Sequence, residues 1–282
     1  MLWQSLLEGE FVLQIRVNDI DVSFQTRGQG RPLLLVHGFP LDHSMWRFQF
    51  EVLARDYKVI APDLRGFGQT TRGTASVSMK QFAEDLVGLL EALSINDPVT
   101  YCGLSMGGYI GWEFWRNFPD RLCRLIQCDT RSIGDTELIA RGRRQMAGRI
   151  TEQGPNGSAL AAETMIPKLF SEYSAQAVPE RVSQLKKVIA NSDHQMIAET
   201  QLALATRADV TTWLPDIDIP ALLICGEHDA ISPAEEMKVI ADAMPNVKLE
   251  IIENVGHMAP LEHPLAVNNV IRQFLKQTDS SC

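Results

Sequence analysis

Gly103-Leu104-Ser105-Met106-Gly107 has the form Gly-x-Ser-x-Gly, and its setting decides how the rest of the chain is read. Alone the pattern is weak: with Gly and Ser each near 7% of residues, a chain this long meets it by chance about one time in ten. Its flanks give it meaning. Asp97 to Cys102 reads as a short β-rich run, and from Met106 to Asn117 apolar residues recur at helical spacing through Ile110, Phe114 and Trp115. Small residues at 103, 107 and 108 suit a sharp turn that strains the serine backbone and brings strand and helix too close for a Cβ. The hydroxyl then stands above a sheet edge, beside a helix N-terminus that favours negative charge. This context predicts a serine nucleophile at Ser105.

Outward from the turn, nearly continuous apolar runs at 32–37, 57–61, 98–102, 122–128, 221–225 and 247–252 read as strands buried on both faces. Helical patterns at 45–54, 79–93, 106–117, 233–244 and 264–276 separate most of them. Such alternation implies an α/β fold with a mainly parallel, doubly wound sheet. Residues 11–17 and 20–26 alternate around Asn18-Asp19, predicting an opening hairpin and an antiparallel edge. From Thr130 to Leu214 the rhythm breaks, with helix-like patterns at 136–151, 157–170, 175–190 and 194–207 and no convincing strand. The expected organisation is a core of residues 1–129 and 215–282, with a helical insertion over 130–214 and re-entry through Asp216 to Pro220.

The chain has 282 residues, 45% apolar and 22% charged, which is ordinary for a globular protein with a sizeable core. No segment approaches the uninterrupted apolar length of a membrane span, so a soluble protein is expected. Met1 to Glu10 lacks a cationic start and a clean apolar run, which makes the cytoplasm the expected compartment. A formal charge of −9 argues against nucleic acid or anionic membrane as partner, and leaves a homo-oligomer open. Cysteines at 102, 123, 128, 225 and 282 lack metal-ligand spacing and read as reduced thiols, the first four buried and Cys282 on a tail.

Acyl transfer by serine needs a base, an acid to orient it, and donors for the oxyanion. Asp229 follows the strand-like run 222–225 within Gly226-Glu227-His228-Asp229, and His257 follows the last strand within Glu253-Asn254-Val255-Gly256-His257. Both positions fall where a parallel sheet gathers its ligand-binding loops. The order Ser105, Asp229, His257 is that of hydrolases built on a Gly-x-Ser-x-Gly turn. Asp129, after the run 122–128, is the rival acid. His263, before Pro264, is the rival histidine, better suited to a helix cap. His37-Gly38-Phe39-Pro40 follows another strand, placing the Phe39 amide to work with that of Met106 as an oxyanion hole. His37 reads as a loop-fixing ring, and Asp63 and Arg65 as a loop-fixing pair. Glu227 and His228 do not complete a metal cage, and Cys102 reads as an inert buried thiol.

With these motifs in place, and with Asp63-Leu64-Arg65-Gly66-Phe67-Gly68 and Glu262-His263-Pro264 beside them, the chain resembles the α/β-hydrolase superfamily over almost its whole length. The resemblance implies an eight-stranded sheet, a helical cap at about 130–214, and Ser105, Asp229 and His257 as nucleophile, orienting acid and base. It implies that no cofactor is required; no metal site is expected from the residues themselves. Serine at 105 sets the chain apart from relatives that use aspartate there. Gly-Leu-Ser-Met-Gly-Gly is similar to carboxylesterases, enol-lactonases and cofactor-free haloperoxidases; carbon–carbon bond hydrolases more often carry asparagine in place of Leu104. The expected activity is hydrolysis of a small carboxylic ester or lactone. Carbon–carbon cleavage, perhydrolysis and a ligand-binding receptor are the alternatives. In the insertion, Arg131, Arg141, Arg143, Arg144 and Arg149 outnumber Asp135 and Glu137. Arg143 and Arg144 are candidates to bind a substrate carboxylate, although solvated helix faces explain such residues as well. Trp213, Met146 and Met165 are candidates for an acyl pocket, with Trp112, Trp115 and Phe170, although helical amphipathicity accounts for most of them as core.

Overall fold

The computed structural model describes residues 12–279, so Met1 to Glu10 and Cys282, for which expectations were stated, lie outside it. Its strands are β1 (Leu13–Val17), β2 (Ile20–Arg27), β3 (Pro32–Val36), β4 (Lys58–Pro62), β5 (Val99–Leu104), β6 (Leu122–Cys128), β7 (Ala221–Gly226) and β8 (Val247–Ile252). They form one sheet in the order β1-β2-β4-β3-β5-β6-β7-β8. The β1–β2 and β2–β4 pairs are antiparallel and the others parallel, as the opening hairpin and the later alternation predict. Every residue of β3, β5, β6 and β7 is buried, because helices cover both faces; this is why they read as unbroken apolar runs. β8 departs from that expectation. It is an edge strand, and half-buried Lys248 and Glu250 on one of its faces pair at 2.8 Å, charges that discourage pairing with another chain.

The helices are α1 (Arg47–Leu53), α2 (Met79–Ala92), α3 (Met106–Asn117), α4 (Glu137–Gln153), α5 (Gly157–Leu169), α6 (Glu172–Ala177), α7 (Pro179–Asn191), α8 (His194–Ala205), α9 (Ala234–Ala243), α10 (Ala259–Glu262) and α11 (Pro264–Gln277). Helices α4 to α8 fall between β6 and β7, with α4 packed along α8 and α5 along α7. The single pattern at 175–190 divides into α6 and α7. Val178 leaves helical geometry at φ −130° because Pro179 follows it, and Pro179 then opens the next helix. No helix among the described residues is long and apolar enough to cross a membrane. Cys102, Cys128 and Cys225 are buried free thiols, whereas Cys123 is disulfide-bonded, which corrects the reading of it as reduced.

Parallel pairing sets the functional edge. Val36 is level with Gly103, Leu104 with Cys128, Cys128 with Ile224, and Gly226 with Ile252. The loops that follow β3, β5, β6, β7 and β8 therefore emerge along one rim. At its centre β5 turns into α3 at very close quarters: a Cβ on Gly103 would overlap the Gly107 carbonyl, and one on Gly107 would overlap the Val36 carbonyl. Backbone cannot yield as a side chain does. Gly107→Ala is expected to cost about 3 kcal/mol, lowering Tm by roughly 6–12 °C. Gly148→Ala, on an open face of α4 with nothing near its Cβ position, is expected to hold or raise it. Paired thermal melts check both.

Candidate active site

Ser105 links β5 to α3 with φ +53° and ψ −112°, a conformation costing a non-glycine residue of order 1–3 kcal/mol. Surrounding hydrogen bonds hold it there. Its amide donates to Cys128 O at 2.9 Å, and its carbonyl accepts from Gly108 N (2.8 Å), Tyr109 N (3.1 Å) and Thr130 Oγ1 (2.8 Å). Ser105 is half-buried between fully buried neighbours. The loop after β3 comes close, since a Cβ on Gly38 would stand 3.4 Å from Ser105 Cβ. Met106 opens α3, so its amide lacks an intrahelical acceptor.

Asp229, beyond β7, and His257, beyond β8, meet through a 2.8 Å hydrogen bond between Oδ2 and Nδ1, with side chains 0% and 3% exposed. The other carboxylate oxygen accepts from Ile231 N at 2.7 Å and Ser232 N at 2.9 Å, which fixes the direction of Oδ2. With Nδ1–H donating to Asp229, the lone pair of His257 lies at Nε2. The rival acid has another place. Asp129, at φ +47°, accepts one bond from Gly226 N at 2.8 Å, and its buried Oδ2 has no partner among the described residues. Burial raises its carboxyl well above the usual range, and the neighbouring Asp229 charge raises it further.

Asp129, Cys225 and Asp229 place ligand-type atoms within 4.8 Å of one another. They make a poor metal site. Both Asp229 oxygens are engaged, and burial pushes the Cys225 thiol far up, away from the thiolate a metal needs. An acid whose pKa is raised by folding loses stability as pH climbs past its unfolded value, because only the unfolded chain then ionises. Asp129→Asn removes that dependence. Urea unfolding is expected to favour the variant increasingly from pH 5 to pH 8, with the difference smallest near pH 4.

Glu262 was quoted in the sequence as part of a motif but given no role. Its buried carboxylate accepts from the amides on both sides of His257, Met258 N at Oε1 and Gly256 N at Oε2, each at 2.9 Å. Oε2 also accepts from Ser171 N at 2.9 Å and from the Ser174 hydroxyl, so one side chain ties the histidine loop to the start of α6. A glutamate four residues after Met258, ending the short helix α10, is the trace this leaves in sequence. Glu262→Gln turns a donor toward amides that need an acceptor, a loss of about 1–3 kcal/mol. Its kcat is expected to fall more than its KM rises, with Tm lowered; steady-state kinetics and a melt check this.

The remaining candidates separate cleanly. The His37 ring accepts from Leu64 N and donates to Gly38 O, both at 2.9 Å, and its burial lowers its proton affinity. Asp63 and Arg65 do not pair with each other: Asp63 bonds His43 Nδ1 at 2.6 Å, and Arg65 bonds Asp85 and Asp19 at 2.7 Å each. His263 accepts from Ala266 N and caps α11, while Glu227 accepts from Asn254 N. Met146, Met165 and Arg143 line a cavity of about 340 Å³ that reaches Phe39 and Ile231. Trp213 and Arg144 are elsewhere, Trp213 under the Arg116 guanidinium and Arg144 paired with exposed Glu137. Lys168, missed in the sequence, lines the cavity instead. Its spacing from Ala161, Thr164 and Met165, all on one face of α5, was the available signal.

A family model for the alpha/beta hydrolase fold matches residues 31–264, and the chain belongs to that family. It is 29% identical over 266 residues to 3-oxoadipate enol-lactonase 2 of Acinetobacter baylyi, covering 93% of this chain and 96% of that one. A thermophilic esterase from Thermogutta terrifontis, solved with malate bound, superposes with TM-score 0.89 at 38% identity over 95% of this chain and 98% of its own. The enol-lactonase of Burkholderia xenovorans LB400 shares the fold at TM-score 0.86 and 24% identity, over 94% and 100% of the two chains.

Proposed function

We propose that the protein is a serine hydrolase of small carboxylic esters or lactones, working through Ser105, His257 and Asp229 without a cofactor. The observation that carries this is the buried Asp229–His257 hydrogen bond on the same rim as a serine held at positive φ. In this reading His257 Nε2 takes the Ser105 proton, the oxygen attacks the carbonyl, and the amides of Phe39 and Met106 receive the oxyanion. Asp229 stabilises the imidazolium. His257 then protonates the leaving alcohol, or the alkoxide of an opened lactone, and activates the water that releases the acid. Each oxyanion donor is worth about 3 kcal/mol. Residues 130–214 act as a cap, with Met146, Met165 and Arg143 facing substrate. The named enol-lactonase and esterase relatives support this substrate class.

Ser105→Ala and His257→Ala are each expected to lower kcat by roughly 10⁴- to 10⁶-fold, and Asp229→Asn by about 10⁴-fold. Aryl-ester and lactone kinetics on purified variants measure this. A fluorophosphonate probe should label Ser105 in the parent protein; turnover with that residue unlabelled would defeat the assignment.

A further inference from the structure

The charges lining the cavity are all positive. Although the chain carries a formal charge of −9, Arg143 and Lys168 face this space, and no Asp or Glu is among its described lining residues. The two cations differ in how they are held. Arg143 is bound through Nε to Asp135 and through Nη1 to Gln201 at 3.2 Å, and the same buried Asp135 also takes Arg207. Because Asp135 is shared by two guanidinium groups, it neutralises Arg143 only in part. Lys168, exposed near the end of α5, makes no ion pair or side-chain hydrogen bond among the described residues. Its ammonium is the unspent donor at this site.

We propose that the cavity selects substrates bearing a carboxylate remote from the bond that is cut, and that Lys168 binds this carboxylate while Arg143 supplies a fixed positive field. This rests on the serine-hydrolase reading, which places the reacting carbonyl at the rim. Phe39 lies on the loop beside Ser105, and Ile231 donates its amide to Asp229, so the cavity runs from the catalytic loops to Lys168. A space of about 340 Å³ suits a short diacid half-ester or a carboxylated lactone. The arginine pairing of the sequence reading is revised accordingly: Arg144 is outside the cavity and Lys168 takes its place.

The test compares two substrates of equal length, the 4-nitrophenyl half-ester of glutaric acid and the 4-nitrophenyl ester of pentanoic acid. The parent protein is expected to prefer the half-ester in kcat/KM. Lys168→Met should lower that preference roughly tenfold, the scale of a hydrogen bond to a charged group, mainly through KM. Lys168→Glu should reverse it, Lys168→Arg should retain it, and Arg144→Gln should leave it unchanged. Added salt should weaken the preference of the parent more than that of Lys168→Met. An unchanged substrate ratio in Lys168→Met and Lys168→Glu, with the pentanoate ester still cleaved through Ser105, overturns this inference alone. Failure of the parent protein to cleave either ester, with Ser105 unlabelled by fluorophosphonate, overturns the hydrolase reading and this inference with it.

Discussion

The structure depends on how closely β5 and α3 approach each other. Glycines at 103 and 107 let the first turn of α3 lie against the ends of β5 and β3, where Tyr101 Oη and Gln127 Nε2 hold the carbonyls of Gly107 and Gly108. Ser105 has then no relaxed conformation to adopt. Its strain is carried by bonds to the next strand, and those bonds continue outward. Ser105 N bonds Cys128 O, Asp129 N bonds Ile224 O, and Gly226 N bonds Asp129 Oδ1. A chain of hydrogen bonds thus runs from the serine turn to the loop bearing Asp229. Loops built independently would not share one register.

Donor count separates the acids packed into this rim. Asp229 receives two amides and the imidazole, and Glu262 receives three amides and a hydroxyl. Asp129 receives a single amide in an equally dry place, and burial leaves its carboxyl raised. Hydrogen bonds to a carboxylate favour its charged form, and burial opposes it. A raised Asp129 carboxyl competes less strongly with Asp229 for the imidazole. Glu262 adds mechanical control, because gripping the amides on both sides of His257 fixes the loop that carries the ring.

Much of this was legible in the sequence because it follows from local pattern. Runs buried on both faces announced the parallel strands, the alternation around Asn18-Asp19 announced the hairpin, and glycine spacing announced the turn. What escaped depends on contacts between distant segments. Trp213 and Met146 look alike as large residues on helical patterns, and only packing sends one to the Arg116 guanidinium and the other to the cavity. Arg143 and Arg144 are neighbours in sequence and point apart on α4, one inward to Asp135 and one outward to Glu137. Glu262 spans 91 residues to reach Ser171, a separation no short motif encodes. The choice between Asp229 and Asp129 was open on position alone, and the side-chain bond to His257 separates them.

The net charge of −9 also bears on how an anionic substrate would reach such a site. Acidic groups spread over the surface repel an anion only weakly beyond a Debye length, about 8 Å at physiological ionic strength. Charges in a partly enclosed space are screened much less. Arg143, with its side chain 20% exposed, is the less screened of the two cations, and the more exposed Lys168 adds a second positive charge to the cavity lining even though the molecule as a whole is acidic. Discrimination follows from the same arrangement. In the proposed reading, an apolar acyl chain would leave the Lys168 ammonium unpaired and gain nothing from Arg143, whereas a carboxylate at the far end of the substrate would gain from both. Helices inserted between β6 and β7 can thus change the charge that lines the cavity while the serine turn, tied through the sheet, stays as it is.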